Sequence, residues 1–331
     1  MAAAKSAASL AATTAKGLLR AAERPSKLPS TKLTTASGDY KLDLLDHCFY
    51  YDTLAPTEQQ LKHSAEFFKA SNHSPIQMWT ASEFRTVPMS DVPEVAFLGR
   101  SNAGKSSLLN AIMSKDLCYT SSKLGRTRTL NAYGIGGQKG GEAKVVVVDT
   151  PGYGKGSTEE WGAEIIKYLT QRKQLRRAFI LINSHHGIKA ADASLLSLLR
   201  THAVPHQILL SKADSLLVKG GIGKPRGLRP ERLDDLSTFA EKIRQRVQPV
   251  RNAGGVGAGK MARKERRRLA KEAELRAKAG IETEVEAEMA EPGVPALGEI
   301  LACSMKMKVG DRFLGVDAIR WSILRAAGLG G

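Results

Sequence analysis

An α/β fold, with a mostly parallel sheet flanked by helices, is predicted by three features of this 331-residue sequence. Strand-like apolar runs and amphipathic stretches alternate from Val92 to about Ala213, the order that builds a parallel sheet through helical crossovers. Residues 145–148 and 179–182 are continuously apolar, as strands covered on both faces are. Residues 94–98 run into Gly99-Arg100-Ser101-Asn102-Ala103-Gly104-Lys105-Ser106-Ser107 and then into a helical run over 107–113. Such sheets bind ligands beyond the carboxyl ends of their strands, and each motif described below falls at one.

In chain order, residues 1–35 are rich in Ala, Ser, Thr and basic residues, and the first acid is Glu23. Scattered Lys5, Lys16, Arg20 and Arg24, with weak amphipathicity and no continuous apolar centre, describe a disordered mitochondrial transit peptide outside the fold. Residues 36–91 form an N-terminal extension. Its helix over 57–70 has Leu61, Ala65 and Phe68 on one side, and 76–84 reads as an edge strand or an irregular segment. Residues 92–214 hold the first part of the main domain, with strands at 94–99, 129–135, 143–149, 177–183 and 206–211 and helices at 105–114, 159–173 and 190–202. Residues 215–296 break the pattern with a loop, a helix over 229–247, a Gly-rich linker at 252–259, a strongly basic run at 260–278 and an acidic one through Glu282 and Glu291. The last two runs bury little apolar surface, so a basic, partly disordered insertion is expected before the last strand. Residues 297–331 return to the globular pattern with a strand at 299–303 and a helix at 309–326.

The net charge of +17 favours an anionic partner such as nucleic acid, a ribosome or an anionic membrane. Three cysteines, Cys48, Cys118 and Cys303, lack the number and spacing of a disulfide framework or a zinc site. No stretch approaches the ~18 consecutive apolar residues of an integral membrane span.

The chemistry lies in five stretches. Gly99 and Gly104 let the backbone curl so that the amides of Ser101, Asn102, Ala103, Gly104, Lys105, Ser106 and Ser107 face one anion, helped by the helix N-terminus. Lys105 then reaches the β- and γ-phosphates, and the Ser106 hydroxyl is a hard ligand for Mg²⁺. Asp149-Thr150-Pro151-Gly152 ends a strand about fifty residues later; the carboxylate is placed for Mg²⁺ and the Gly152 amide for a γ-phosphate. In Ser211-Lys212-Ala213-Asp214, the Asp214 carboxylate can accept from the ring N–H and exocyclic amine of guanine, while the Lys212 stem lies along the base; adenine lacks that donor pair. Amides at Cys303-Ser304 can meet the guanine O6. In the basic loop 122–129, Thr127 is the hydroxyl ligand for Mg²⁺ and a γ-phosphate sensor, with Thr129 the alternative. His185 and His186 lack acidic partners at ligand spacing and read as structural or solvent-facing.

Together these motifs resemble the TrmE–Era–EngA–EngB group of GTPases, and within it the EngB family. Residues 94–110 match that family's P-loop region, Gly125-Arg126-Thr127 its first switch, and Asp149-Thr150-Pro151-Gly152-Tyr153-Gly154 its second. The resemblance covers about 85–217 and 297–326. It implies a six-stranded GTPase domain, a role in large ribosomal subunit assembly and, with the transit-like segment, a place in the mitochondrial matrix. Asn102 matches an asparagine that holds a monovalent cation, here K⁺, in related GTPases. Tyr153 stands where Ras-like proteins keep a water-orienting glutamine. Ser211 replaces the Thr or Asn that usually opens the base motif. The expected protein is a monomeric GTPase, slow without a partner, that binds GTP or GDP, Mg²⁺ and a precursor particle through rRNA or ribosomal protein. The rival is a guanine-nucleotide-dependent binding module with negligible turnover.

Overall fold

The computed structural model describes residues 31–35, 38–42, 47–118, 129–139, 142–153, 159–217, 231–247, 296–309 and 311–330. Two short strands, β1 (Thr31–Thr35) and β2 (Gly38–Leu42), pair as an antiparallel hairpin that begins inside the transit-like segment. Then follow β3 (Cys48–Tyr50), α1 (Glu58–Phe67), β4 (Ile76–Ala81), β5 (Glu94–Gly99), α2 (Lys105–Met113), β6 (Leu130–Ile135) and β7 (Val145–Asp149). After these come α3 (Glu159–Gln171), β8 (Leu175–Asn183), α4 (Ala190–Thr201), β9 (His206–Ser211), the short α5 (Asp214–Leu217) and α6 (Glu231–Val247). The chain closes with β10 (Glu299–Ala302), β11 (Ser304–Val309), β12 (Arg312–Leu314) and α7 (Val316–Ala326).

The main sheet has eight strands, not six, in the order β3-β10-β9-β8-β5-β7-β6-β4. The inner six are the expected ones. β10, β9, β8, β5 and β7 run parallel, and β6 is antiparallel to β7. The extension adds an antiparallel strand at each edge, β3 on β10 and β4 on β6. Three-residue β3 is too short to carry a period, and β4 shifts register between Gln77 and Trp79. β3 therefore lacks the alternation by which strands are recognised, whereas β4 is the edge strand, one of the two readings of 76–84.

The apolar runs divide between two faces as the pleat requires. Val95, Phe97, Val145, Val147, Phe179 and Leu181 join the layer beneath α1, α2 and α7, where the Phe97 and Phe179 rings stack at 4.9 Å. Ala96, Leu98, Val146, Val148, Ile180 and Ile182 face α3, α4 and α6. The segment 215–296 thus contributes a core helix: Leu236, Ala240, Ile243 and Val247 are buried. Arg200, near the end of α4, caps the carbonyls of Arg246 and Val247 at 2.9 and 2.7 Å. Leu297 bonds back to the His206 carbonyl, so both flanks of 248–295 lie at the amino ends of the strands. Between β10 and α7 the chain forms the β11–β12 hairpin, where a helix from 309 was expected. Gly315 starts α7 at φ +79°, and a Cβ there would lie 2.1 Å from the Ala302 carbonyl oxygen. No described helix is long and apolar enough to cross a membrane.

Candidate nucleotide site

The carboxyl ends of β5, β7, β9 and β10 bring the predicted residues to one rim. After β5 the chain turns through Asn102 at φ 64° and Gly104 at φ 94°, and Gly104 caps α2. The left-handed conformation at Gly104 is one that L side chains rarely adopt. Lys105, the first residue of α2, is buried, and its ammonium lies 3.2 Å from Asp149 Oδ1 at the end of β7. The two charges face each other, yet that oxygen accepts no hydrogen bond. Burial pushes the Asp149 carboxyl up, against the Lys105 ammonium and the Ser106 hydroxyl, which hold it down. A buried carboxylate that faces the Lys105 ammonium, beside a serine hydroxyl and a phosphate-type loop, fits a Mg²⁺ ion that shares its shell with phosphate oxygens and water. Among the described residues no cluster of three or more His, Cys, Asp or Glu could hold a metal by itself.

Past Asp149 the chain stays against the loop. Thr150 donates its hydroxyl to the Phe97 carbonyl at 2.8 Å. The Tyr153 amide donates to the Gly99 carbonyl, and the Ser101 amide donates to the Tyr153 carbonyl. These bonds make a parallel bridge between Arg100 and Tyr153. Gly152 has no room for a side chain: a Cβ would lie 2.9 Å from Ser101 N, Cα and Oγ. The Tyr153 hydroxyl turns away to Asp192 Oδ1 at 2.7 Å.

The base-recognition residues also meet. Lys212, at φ 56°, lays its stem beside Gly104. Ser304 Oγ donates to Asp214 Oδ1 at 2.7 Å, and accepts from the amides of Lys306 and Met307. Cys303 is fixed by its amide to Leu210 and by its carbonyl to Ala213. Burial, with Asp214 nearby, pushes its thiol up to about 12, so it contributes backbone and packing. Ser211 is buried and its hydroxyl points to the Ile182 carbonyl at 3.4 Å.

Thr127 lies outside the described residues, and Thr129 bonds locally to Asn131. His185 and His186 are exposed, with rings 4.9 Å apart. His186 lines a cavity of about 180 Å³ with Arg100, Asn102, Asn183, Asp192 and Lys212. Sequence reasoning missed Asp192 and Asn110. Asn110 holds Leu117 and Cys118 through its side chain, immediately before residues 119–128. The only signal for Asp192 was an acid in the first turn of a helix, a common feature of helix starts.

Residues 94–212 match the family model described as a 50S ribosome-binding GTPase. The probable GTP-binding protein EngB of Mesorhizobium japonicum is 43% identical over 143 residues, covering 40% of this chain and 68% of that protein. Its counterpart in Bartonella tribocorum is 45% identical over 141 residues, with 40% and 66% covered. That of a Chelativorans species is 38% identical over 175 residues, with 49% and 75% covered. The chain thus spans about two thirds of the length of these relatives. The crystal structure of a probable GTP-binding protein engB superposes with a TM-score of 0.37 at 16% identity, over 71% of this chain and 98% of that one.

Proposed function

Because the chain belongs to the EngB family of GTP-binding proteins, we propose that it is a GTP-hydrolysing switch for assembly of the large ribosomal subunit in mitochondria. The observation that carries the nucleotide reading is a convergence. The Lys105–Asp149 pair and the Asp214–Ser304 hydrogen bond, from segments up to 90 residues apart, share one rim of the sheet. Lys105 and the amides of 101–107 bind the phosphates. Asp214 accepts from guanine, the Lys212 stem covers the base, and the Ser304 amide faces O6, the Cys303 amide being bonded to the Leu210 carbonyl. Ser106 and Asp149, with Thr127, would hold Mg²⁺, which neutralises phosphate charge. Asn102 is the proposed K⁺ ligand, in place of a water-orienting glutamine.

The γ-phosphate is sensed by the Gly152 amide and by Thr127, so GTP orders a docking surface that hydrolysis releases. Turnover is slow alone and rises on the particle. The charge of +17 supports an rRNA partner met through its phosphates, and the composition of 1–35 supports the mitochondrial address. The rival reading, a binding module with negligible turnover, draws on Tyr153, whose hydroxyl is tied to Asp192.

One experiment tests these readings: nucleotide binding and turnover in K⁺ and in Na⁺, with and without large-subunit particles. GTP is expected to bind well ahead of ATP. Asp214→Asn should lose roughly 10- to 100-fold in GTP affinity, the worth of hydrogen bonds to a charged group. Turnover should rise with K⁺ and particles and vanish in Lys105→Ala. Equal binding of ATP would refute the base reading, and wild-type turnover no faster than Lys105→Ala would favour the binding module.

A further inference from the structure

We propose that Asp192 is a positioning residue for the nucleotide switch: through the Tyr153 hydroxyl it holds Gly152 against the P-loop, where the γ-phosphate of GTP is read. The inference rests on the GTPase reading above and adds to it a residue from a helix outside the recognised motifs.

Tyr153 is held from two sides. Its main chain is zipped to the P-loop, with its amide 3.3 Å from the Gly99 carbonyl and its carbonyl 3.2 Å from the Ser101 amide. Its side chain is tied to α4 by the 2.7 Å bond to Asp192 Oδ1. Asp192 is only 1% exposed, and its other oxygen accepts the Lys189 amide at 2.9 Å. The first turn of α4 therefore fixes the carboxylate before Tyr153 meets it. Arg100, on the strand side, places a positive charge near both groups. Both Asp192 oxygens are thus engaged, one by the start of its own helix and one by Tyr153, whose main chain reaches the P-loop.

Gly152 has little freedom under this restraint. It sits one residue before Tyr153 and touches Ser101 so closely that a Cβ would meet backbone at 2.9 Å. A shift of Tyr153 therefore moves the Gly152 amide relative to the phosphate loop. The Tyr153 hydroxyl, donated to Asp192, sets the place of the amide and links that place to α4.

The test uses the full chain in four forms: wild type, Tyr153→Phe, Asp192→Ala and the double variant. Tyr153→Phe keeps the ring and removes only the hydroxyl. We expect it to lower the ratio of GTP to GDP affinity roughly tenfold, as loss of one hydrogen bond to a charged acceptor does, with GDP affinity within twofold of wild type. Asp192→Ala should lower the ratio as much, and the double variant no further, because residues acting through one contact are not additive. Asp192→Asn, which can still accept from Tyr153, should recover part of the loss. Amide hydrogen exchange with GDP bound gives a reading that needs no GTP: the Ser101 and Tyr153 amides should exchange faster in both single variants.

Unchanged exchange at those amides, or an unchanged affinity ratio in Tyr153→Phe, overturns the inference. So does strict additivity in the double variant. Wild-type protein that fails to prefer GTP over ATP defeats the GTPase reading instead, and the exchange result then still decides whether the Tyr153–Asp192 contact positions the segment.

Discussion

Gly152→Ala is the most demanding test of how the switch is built. Gly152 lies outside the left-handed region, so alanine meets no backbone strain there; the obstacle is space. A Cβ would sit 2.9 Å from Ser101 N and Cα, whereas ordinary contacts begin near 3.4 Å. The segment must retreat by about half an ångström, because a backbone contact cannot rotate out of the way. The two hydrogen bonds that zip it to the P-loop are already 3.2 and 3.3 Å long, and a retreat of that size takes them beyond useful length. Two such bonds are worth about 1–3 kcal/mol together, a shift of roughly 5- to 150-fold in the population held against the loop. The assay is amide exchange at Ser101 and Tyr153 together with GTP and GDP affinities. Exchange should quicken by that factor, and GTP should weaken while GDP stays within twofold. Trimming Ser101 to glycine in the same protein should give no rescue, since two of the three close contacts are backbone. Unchanged protection in Gly152→Ala, or full rescue by Ser101→Gly, would refute the reasoning.

Two further expectations concern the scaffold. His47 is 1% exposed, neither ring nitrogen has a partner, and burial lowers its pKa to about 4. Between pH 6.5 and 4 the unfolded chain takes up a proton that the folded one refuses, so this group costs stability as pH falls through that window, about 1.4 kcal/mol per pH unit and about 3 kcal/mol in all. Asp149 and Asp192, both raised by burial, act in the opposite sense. The measurement is therefore the difference in urea unfolding between wild type and His47→Leu from pH 7 to 4.5: parallel pH profiles would show that His47 titrates normally. Arg320 is 8% exposed and caps α2, donating to the Ile112 and Ala111 carbonyls and to Ser114 Oγ at 2.7–2.9 Å, while pairing with Asp317. Arg320→Ala should cost about 3 kcal/mol in chemical unfolding, in the range for breaking a buried ion pair; a loss under about 1 kcal/mol would mean that water replaces these contacts freely.

What was legible in the sequence is what neighbouring residues decide. The run through Gly99 to Ser107 carries its own turn, its own helix start and its own lysine, so its structure follows from adjacent chemistry. The strands at the centre of the sheet follow from the runs at 145–148 and 179–182, apolar enough to be buried on both faces, and the other inner strands from their alternation with helices. Asp214 and Ser304 were placed by order along the chain, and the fold closes the 90 residues between them into a hydrogen bond. The contacts that escaped reading join chemically plain residues across the fold. Tyr153 meets Asp192 39 positions on, and Arg320 meets Ile112 across 208. An acid in a first helical turn and an arginine on an amphipathic helix have ordinary local explanations, and nothing near them names the distant partner.

The extension shows the same limit, since the strands that its short segments pair with are decided across the fold. A sheet edge presents unpaired N–H and C=O groups, and an exposed edge invites pairing with another chain. Without β3, the edge would be β10, which leads directly into Cys303 and Ser304; the Ala302 amide is paired with the His47 carbonyl. Without β4, the edge would be β6, which begins just past the basic segment 122–129. The two margins of the sheet, one of them leading to Cys303 and Ser304, are thus backed by strands from 36–91. The same region sends α1 onto α7, where Ser64 donates to the Asp317 carbonyl and Phe68 lies under the Arg320 guanidinium. Since Arg320 in turn caps the helix that begins with Lys105, packing from the extension reaches the phosphate-binding end through α7 and α2. The residues that carry no nucleotide motif therefore help fix the frame in which the motifs act.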